Sequence, residues 1–327
     1  MLPTSASFNA SSQSPRVSCF NLPRSNHFKS AAAKFIHLLL EYRGLAKLWG
    51  TYVNGIGTRL YHNKIFPNIS LHTTVTGRTS SKDPNMQNIP RGEKIKRMFV
   101  PASGNVFVQC DYRAAELRVL GVLAQDEYFK SVLNDPNRDV HSEVALEFYG
   151  SNFTKDQRVN CKKVVFGTGY GAEAPRIAQL LGVSLIRARQ FQDRYFKMIP
   201  NVVAWQQEVK DKILAGEDLV TFTGRRRRHW LISNANKKDI VKEGLAFLPQ
   251  STASDLCLIS ANALRLIYGL HVKMTVHDSI LVECKDGEQQ EVSDLMQQVM
   301  FDIPKERFSD YIDFTTEVKI GNNWAVV

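Results

Sequence analysis

Cysteine is scarce, and no two cysteines form a recognisable metal motif. The 327-residue chain has five of them, without CxxC spacing and without a partnering group of histidines. The sequence therefore predicts neither a zinc site nor a disulfide framework, and a reducing compartment is the simplest expectation. The cysteines are Cys19, Cys110, Cys161, Cys257 and Cys284.

Long hydrophobic runs are also absent. A helix that crosses a bilayer needs about 18 or more consecutive apolar residues. The longest apolar cluster here, around Phe35 to Leu40, is interrupted by His37. We therefore expect no membrane insertion and a cytoplasmic location.

Acidic residues are missing from the first 33 positions, which are rich in Ser, Asn and Pro. This composition, without a sustained period, predicts loop or loosely packed chain. Because Arg16, Arg24 and Lys29 accompany the serines, the segment also fits an organelle transit peptide, although its prolines interrupt any amphipathic helix.

Basic residues are in excess over the whole chain. Lys and Arg number 42 against 32 Asp and Glu, a formal net charge of +10. Such a balance favours a polyanionic partner, and nucleic acid is the first candidate. The hydrophobic fraction of 43% is ordinary for a globular protein, and the length suits two packed subdomains.

The periodicity predicts an α+β fold. Apolar residues at helical spacing indicate a long amphipathic helix from Ala31 to about Ile56 and mainly helical structure from about Asp126 to Trp205. Glycines at 167, 169 and 171 are expected to end one of these helices, and Pro200 another. Short strands are predicted at 106–111, 272–276 and 280–282, the last two as a hairpin.

Two of these strands lead to an aspartate: Asp111 ends the first strand, and Asp278 follows the strand at 272–276. An ionised carboxylate beside apolar sequence is costly unless it is paired, hydrogen-bonded or bound to a metal. If the strands are neighbours, the two aspartates could hold two Mg²⁺ ions about 3.5 to 4 Å apart and support nucleotidyl transfer. The alternative is that each aspartate caps a turn or pairs with an arginine.

A second pattern lies on a helix predicted to begin near Asp156. Arg158, Lys162, Phe166 and Tyr170 follow at intervals of four and share one face. The two cations suit a triphosphate, and the aromatic rings suit a sugar or base. The alternative is a solvated basic helix whose aromatic side chains enter the core.

Read together with their flanks, these segments resemble family A (DNA polymerase I-like) DNA polymerases, covering the chain from about Glu41 to its end. An ordered set of motifs is far more specific than any one of them. In family order they are TGR at 76–78, DPNMQNIP at 83–90, CDYRAAELR at 110–118, RxxxKxxxFGxxYG from Arg158 to Gly171, GRRR at 224–227, PQSTASD at 249–255, VHD at 276–278 and GNNW at 321–324.

The resemblance implies an α+β, right-hand polymerase fold with an antiparallel palm sheet, helical fingers and a remnant of the thumb. The implied divisions are 1–75 for the thumb remnant and connecting helix, 76–124 and 236–327 for the palm, and 125–235 for the fingers. The implied activity is template-directed addition of dNTPs to a primer, with Mg²⁺, or alternatively Mn²⁺, as the metal.

The same resemblance implies residue roles. Asp111, Asp278 and the Tyr112 carbonyl would bind two metal ions, while Arg158 and Lys162 would hold the triphosphate. Phe166, Tyr170, Glu116 and His141 would complete the dNTP site, with Glu116 excluding a ribose 2′-hydroxyl. Primer-template DNA would meet the following residues: Arg78, Gln87, Asn88, Gln250, His277, Arg225, Arg226 and Arg227. For the arginine run, a solvated basic turn is the alternative.

The chain departs from the family pattern at several positions. After VHD the family has a glutamate, and Ser279 stands there instead, which removes one carboxylate. Ala114 stands where Gln is usual. Lys242 and Ala246 replace the usual Arg and Asn, so DNA contacts are expected to be thinner. The His-Asp-Ser triplet also resembles single-subunit RNA polymerases, whereas Glu116 favours the DNA enzyme.

The segment before the palm is short of family features. Glu41 is the only acidic residue before Asp83, so a metal-dependent proofreading exonuclease is not expected in this chain. Only Phe8-Asn9 and the helix from Glu41 to Leu48 resemble a thumb. We therefore predict a split polymerase, as in phages, whose second chain supplies exonuclease and thumb in the host cytoplasm; an excised fragment, or a non-catalytic replisome scaffold, is the alternative.

Overall fold

The computed structural model describes residues 31–90, 92–229, 231–309 and 311–327. The chain divides into two compact units, one ending at Asn54 and the other beginning at Gly55. Residues 1–30, which make up most of the segment that fits a transit peptide and include Phe8-Asn9 and Cys19, lie outside the described residues.

The predicted N-terminal helix is present but is not α-helical throughout. Helix α1 (Ala31–Lys47) passes into a π-helical segment, Leu48–Asn54. A π-segment changes the number of residues per turn, so the apolar spacing read from the sequence does not continue as one straight stripe. No residue of α1 is buried, and its large exposed apolar side chains include Phe35, Leu38, Leu39, Tyr42 and Leu45.

The second unit contains the remaining helices and all the described strands. The helices are α2 (Gly55–Gly57), α3 (Glu93–Lys96), α4 (Ala115–Ala124), α5 (Glu127–Leu133), α6 (Val140–Tyr149), α7 (Lys155–Gly169), α8 (Ala174–Leu181), α9 (Leu185–Met198), α10 (Pro200–Leu214), α11 (Lys237–Leu266) and α12 (Gln289–Phe308). The strands are β1 (Asn68–Ser70), β2 (Ser80–Lys82), β3 (Asn105–Tyr112), β4 (Leu219–Val220), β5 (Arg226–Arg227), β6 (His271–Val276), β7 (Ser279–Lys285) and β8 (Thr316–Gly321).

An antiparallel sheet of four strands, in the order β6-β7-β3-β8, organises this unit. Val108, Cys110 and Tyr112 alternate along β3 on its buried face. Helices α11 and α12 pack on this sheet, and the Tyr112 hydroxyl meets Ser260 of α11 at 2.9 Å. The intervening residue Asp111 therefore points to the opposite face.

The region expected to be mainly helical is so. Helices α5 to α10 occupy it, and α7 begins with a reciprocal capping box between Thr154 and Gln157. Helix α7 ends at Gly169 and is followed by Gly171 in the left-handed region, as the glycines predicted. Pro200 begins α10 directly after α9, where its missing N–H costs nothing.

The expected α+β class with an antiparallel sheet is confirmed. In the described part of the chain, the cysteines Cys110, Cys161, Cys257 and Cys284 are free and buried. The same residues include no helix with the length and apolarity to cross a membrane.

A buried arginine ties α4 to the segment before β8. The Arg118 guanidinium donates to the carbonyls of Arg113, Leu133 and Asp313 and to the Thr315 hydroxyl. Burial lowers the pKa of Arg118 to about 10, and the bonds to these oxygens offset part of the cost. This arginine fixes the helix that begins within the CDYRAAELR motif, three residues after Tyr112.

Replacing Arg118 with methionine should destabilise the protein because four oxygens lose their donor inside the fold. We expect Arg118→Met to lower the free energy of unfolding by roughly 3 kcal/mol. Chemical denaturation monitored by circular dichroism measures the change. The control is Arg113→Met, because the Arg113 side chain is exposed; equal stability of the two variants would contradict this role for Arg118.

Candidate active site

The two aspartates singled out in the sequence lie side by side. Asp111 is opposite Ser279 in the β3-β7 register, and the Tyr112 N–H donates to the Asp278 carbonyl at 3.1 Å. Asp278 lies in the two-residue turn between β6 and β7, where His277 adopts a left-handed conformation (φ 57°). The β-ladder therefore delivers both carboxylate-bearing residues to one end of the sheet.

The surroundings of Asp278 disfavour its ionised form. Burial raises the pKa of the Asp278 carboxyl, and the charges of His277, Arg78 and Lys162 offset only part of that effect. A metal cation would compensate an ionised carboxylate at this position. Among the described residues no group of three or more His, Cys, Asp or Glu side chains could hold a metal. The two carboxylates offer oxygen ligands of the kind that hard cations take.

Ser279 does not supply the carboxylate that a glutamate would bring to this position. Its side chain is 4% exposed, and its hydroxyl donates to the Val276 carbonyl at 2.9 Å. Because Ser279 is directly opposite Asp111, its side chain lies on the same face of the sheet. A neutral hydroxyl that closes the hairpin therefore stands where a third carboxylate would stand.

Glu116 joins three elements of the site. It lies in the first turn of α4, where it accepts bonds from the Arg78 guanidinium on one oxygen and from the Tyr170 hydroxyl on the other. Burial raises the pKa of Glu116, and Arg78 opposes the increase. The sugar-gate residue expected from the sequence is thus held on both sides.

Arg158 is the first residue of the basic and aromatic stripe on α7, which runs from Arg158 through Lys162 and Phe166 to Tyr170. Arg158 already has hydrogen-bond partners. Its Nε donates to Asp139 at 2.9 Å and to the Ser142 hydroxyl at 3.0 Å, both at the beginning of α6. Lys162, one turn further, is exposed. The two cations therefore differ in their surroundings, since Arg158 has a carboxylate partner and Lys162 faces solvent.

Phe166 contacts the predicted phosphate-side histidine. Its ring centroid lies 5.8 Å from that of His141, which is buried and has no hydrogen-bond partner on Nδ1. Burial lowers the pKa of His141 to about 4, with contributions from the nearby charges of Lys162 and Arg158. His141 is therefore neutral at physiological pH and retains a free polar atom beside the stripe.

The residues assigned to DNA gather in part around one cleft. A cavity of about 230 Å³ is lined by Arg78, Gln87, Asn88 and His277, among others. Gln87 donates to the Thr275 carbonyl at 3.2 Å, which ties the loop before α3 to β6. Gln250 is half-buried on α11, one helical turn before Ser254 of the cleft lining.

The arginine run forms ion pairs within the chain. Arg226 and Arg228 lie 3.6 and 3.5 Å from Asp218, and Arg227 lies 2.9 Å from Glu243. Arg225 instead turns inward and meets the buried Asp255 at 2.7 Å. The run is thus neither a free basic turn nor a uniform one, and its contact with phosphate stays a prediction.

Several contributing residues had no role in the sequence interpretation. Asp139 and Ser142 form an N-terminal cap in which the Ser142 N–H donates to Asp139 at 2.8 Å. The Asp-x-x-Ser spacing before an apolar helix signals that cap. Its link to Arg158 depends on tertiary packing and leaves no local sequence signal.

The model of DNA polymerase family A matches residues 25–326, and the chain belongs to this family. It is 34% identical over 316 residues to a thermostable DNA polymerase I of Thermus filiformis, covering 90% of this chain and 36% of that protein. It is 29% identical over 303 residues to DNA polymerase I of Helicobacter pylori, covering 88% of this chain and 33% of that one. The chain thus spans about a third of the length of these relatives.

A solved structure shares the fold. The chain superposes with a TM-score of 0.81 and 25% identity on the POL domain of Pol1 from M. smegmatis, which was determined in complex with DNA primer-template and dNTP. The match covers 91% of this chain and 55% of that one. The polymerase fold expected from the sequence is therefore confirmed.

Neutralising Asp278 should stabilise the metal-free protein. Above its raised pKa, ionised Asp278 destabilises the folded chain, and the penalty fades as pH falls through that pKa because the folded state takes up the proton. We expect Asp278→Asn to unfold at a higher temperature than wild type at pH 8, with a smaller difference near pH 4. Calorimetry in chelator measures both midpoints.

The exposed Asp286, in the turn after β7, provides the matched control, and Asp286→Asn should leave the midpoint unchanged. Adding Mg²⁺ should raise the unfolding temperature of wild type more than that of Asp278→Asn. Identical midpoints for wild type and Asp278→Asn at pH 8 would show that burial of this carboxylate carries no penalty.

Proposed function

We propose that this family A chain copies a DNA template by adding dNTPs to a primer 3′-hydroxyl with release of pyrophosphate. The observation that carries the proposal is the adjacency of Asp111 and Asp278 at the ends of paired strands. Family membership supports it, because the motifs that supply these residues occur in this chain in family order.

Asp111, Asp278 and the Tyr112 carbonyl are the residues that would hold two Mg²⁺ ions, or Mn²⁺ in their place. When bound, such ions lower the pKa of the attacking hydroxyl and stabilise the charge on the leaving pyrophosphate. The raised pKa of Asp278 supports this assignment, since that carboxylate gains from a nearby cation. The chain itself fixes the two side chains through the β-ladder.

Arg158 and Lys162 would bind the triphosphate. Because Arg158 is paired with Asp139 and Ser142, an incoming phosphate must share or take over that guanidinium. Lys162, exposed on the same face, is available for the first encounter. His141, neutral and with a free Nδ1, lies close enough to Phe166 to border the same pocket. Capture of the triphosphate would therefore rearrange contacts along α7, as an induced fit requires.

Glu116 would exclude ribonucleotides, and Phe166 and Tyr170 would border the sugar and base. The bonds from Arg78 and Tyr170 hold the Glu116 carboxylate in one orientation, which supports a steric role. A fixed carboxylate is a better gate than a mobile one because a 2′-hydroxyl cannot displace it without breaking those bonds.

Primer-template DNA would lie across the cleft that contains Arg78, Gln87, Asn88 and His277, with Gln250 on the adjacent turn of α11. Arg225, Arg226 and Arg227 would add phosphate contacts, and the net charge of +10 supports a polyanionic partner. The domain divisions at 75/76, 124/125 and 235/236 remain part of the proposal. So do the cytoplasmic location and a second chain that supplies exonuclease and thumb.

Loss of one aspartate tests the reaction directly. We expect Asp278→Ala to reduce primer extension with dNTPs and Mg²⁺ by about a thousandfold or more, because an essential metal ligand is removed. Gel-resolved extension of a primed DNA template measures the rate, and Asp286→Ala is the matched control. An intact chain that binds primer-template without extending it, alone or with a co-purified partner, would favour a scaffold subunit.

Truncating the gate tests sugar selection. Glu116→Ala should raise kcat/KM for ribonucleotides relative to dNTPs at least about tenfold, because the side chain that meets the 2′-hydroxyl is gone. Single-nucleotide incorporation with matched ribo- and deoxynucleotides measures the ratio. Glu143→Ala, on α6, is the control. A wild-type preference for ribonucleotides would instead favour an RNA polymerase-like enzyme.

A further inference from the structure

Arg225 lies against the loop that precedes Arg78. Gly77 adopts a left-handed conformation (φ 74°), and a Cβ at this position would overlap the Arg225 guanidinium. Only glycine therefore permits this close approach. The Ser254 hydroxyl donates to the Gly77 carbonyl at 3.5 Å, so α11 touches the same loop.

The guanidinium is itself held firmly. Its Nη2 donates to Asp255 Oδ1 at 2.7 Å, while Thr223 donates to Oδ2 at 2.5 Å. The Asp255 side chain is only 6% exposed, so Arg225 cannot leave it without stranding a carboxylate charge in the protein. Arg227 differs, because its partner Glu243 is 60% exposed. A surface pair of that kind contributes little to the geometry around it.

The loop contacted by Arg225 continues directly into the gate. Arg78 follows Gly77, and its backbone carbonyl accepts a bond from the Thr74 hydroxyl at 2.6 Å. Its guanidinium donates to Glu116, which also accepts from Tyr170. A continuous series of contacts therefore runs from Asp255 on α11, through Arg225 in the β4-β5 hairpin and the 76–78 loop, to the Glu116 carboxylate.

We infer that Arg225 and Asp255 are positioning residues for sugar selection: the pair holds the 76–78 loop so that Arg78 keeps the Glu116 carboxylate in its gating orientation. The inference rests on the proposed function and deepens it, since the substrate property affected is the choice between deoxy- and ribonucleotide. It also separates Arg225 from Arg226 and Arg227, whose partners are Asp218, just before β4, and the exposed Glu243 of α11.

The test compares two neutralised carboxylates. Asp255→Asn keeps the shape of the side chain but weakens its hold on Arg225, whereas Glu243→Gln removes the partner of Arg227 and leaves Gly77 untouched. Hydrogen–deuterium exchange followed by mass spectrometry reports on the backbone of 74–79 without requiring catalysis. We expect at least about threefold faster exchange there in Asp255→Asn, unchanged exchange in β3, and no change in Glu243→Gln.

Single-nucleotide incorporation then measures sugar selection. Asp255→Asn should lower the dNTP preference at least about fivefold, and Glu243→Gln should not change it. In the Glu116→Ala background, Asp255→Asn should have no further effect, because the group it positions is gone. A residue that merely stabilises the fold would not show this dependence on Glu116. Thr223→Val, which removes one bond to Asp255, should act in the same direction if Asp255→Asn folds poorly.

The outcomes separate the two proposals. If wild type extends primers but Asp255→Asn retains full sugar selection, the positioning role is wrong and the polymerase function stands. Unchanged exchange at 74–79 in Asp255→Asn overturns the positioning role in any case. If wild type shows no extension either alone or with a co-purified partner, the proposed function fails, and the exchange comparison alone decides whether Asp255 fixes the loop.

Discussion

Two carboxylates at the end of one β-ladder are the constraint on which the rest of the site depends. The pairing of β3 with β7 and the bond from Tyr112 to Asp278 force Asp111 and Asp278 together whether or not a cation lies between them. Like charges in a partly buried position repel, and the raised pKa of Asp278 expresses that burial. Arg78, Lys162 and His277 supply the nearest positive charge, so the basic groups are also part of what makes this arrangement tolerable.

Charged residues of the site pair with one another. Arg158 is paired with Asp139, and Arg78 is paired with Glu116, while Lys162 remains exposed. Under the proposed function, a triphosphate would enter by exchanging partners with these pairs. These ion pairs limit the repulsion between like charges that a group of unpaired cations or carboxylates would cause in the fold.

Local patterns could be predicted from the sequence, and long-range ones could not. The strand carrying Asp111, the hairpin around Asp278 and the helix carrying Arg158 each follow from periodicity, turns and caps within a few residues. The inward direction of Arg225 depends on Asp255, 30 residues away, and the burial of Arg118 depends on Thr315, 197 residues away. No local rule distinguishes an arginine that faces solvent from one that meets such a partner. The π-helical segment after α1 likewise leaves no signal in an apolar repeat.

Ser279 affects both the charge repulsion within the site and the metal binding proposed for it. A glutamate opposite Asp111 would add a third negative charge on the same face of the sheet. That charge would lie close to Asp278, whose pKa is already raised by burial. The serine avoids that repulsion and uses its hydroxyl to close the hairpin through Val276. The same substitution removes an oxygen that could orient a metal-bound water. Under the proposed function, this one residue would lower the charge repulsion in the site and weaken its hold on metal ions. Asp111 and Asp278 would then be the carboxylate ligands that this turn and its neighbouring strand supply.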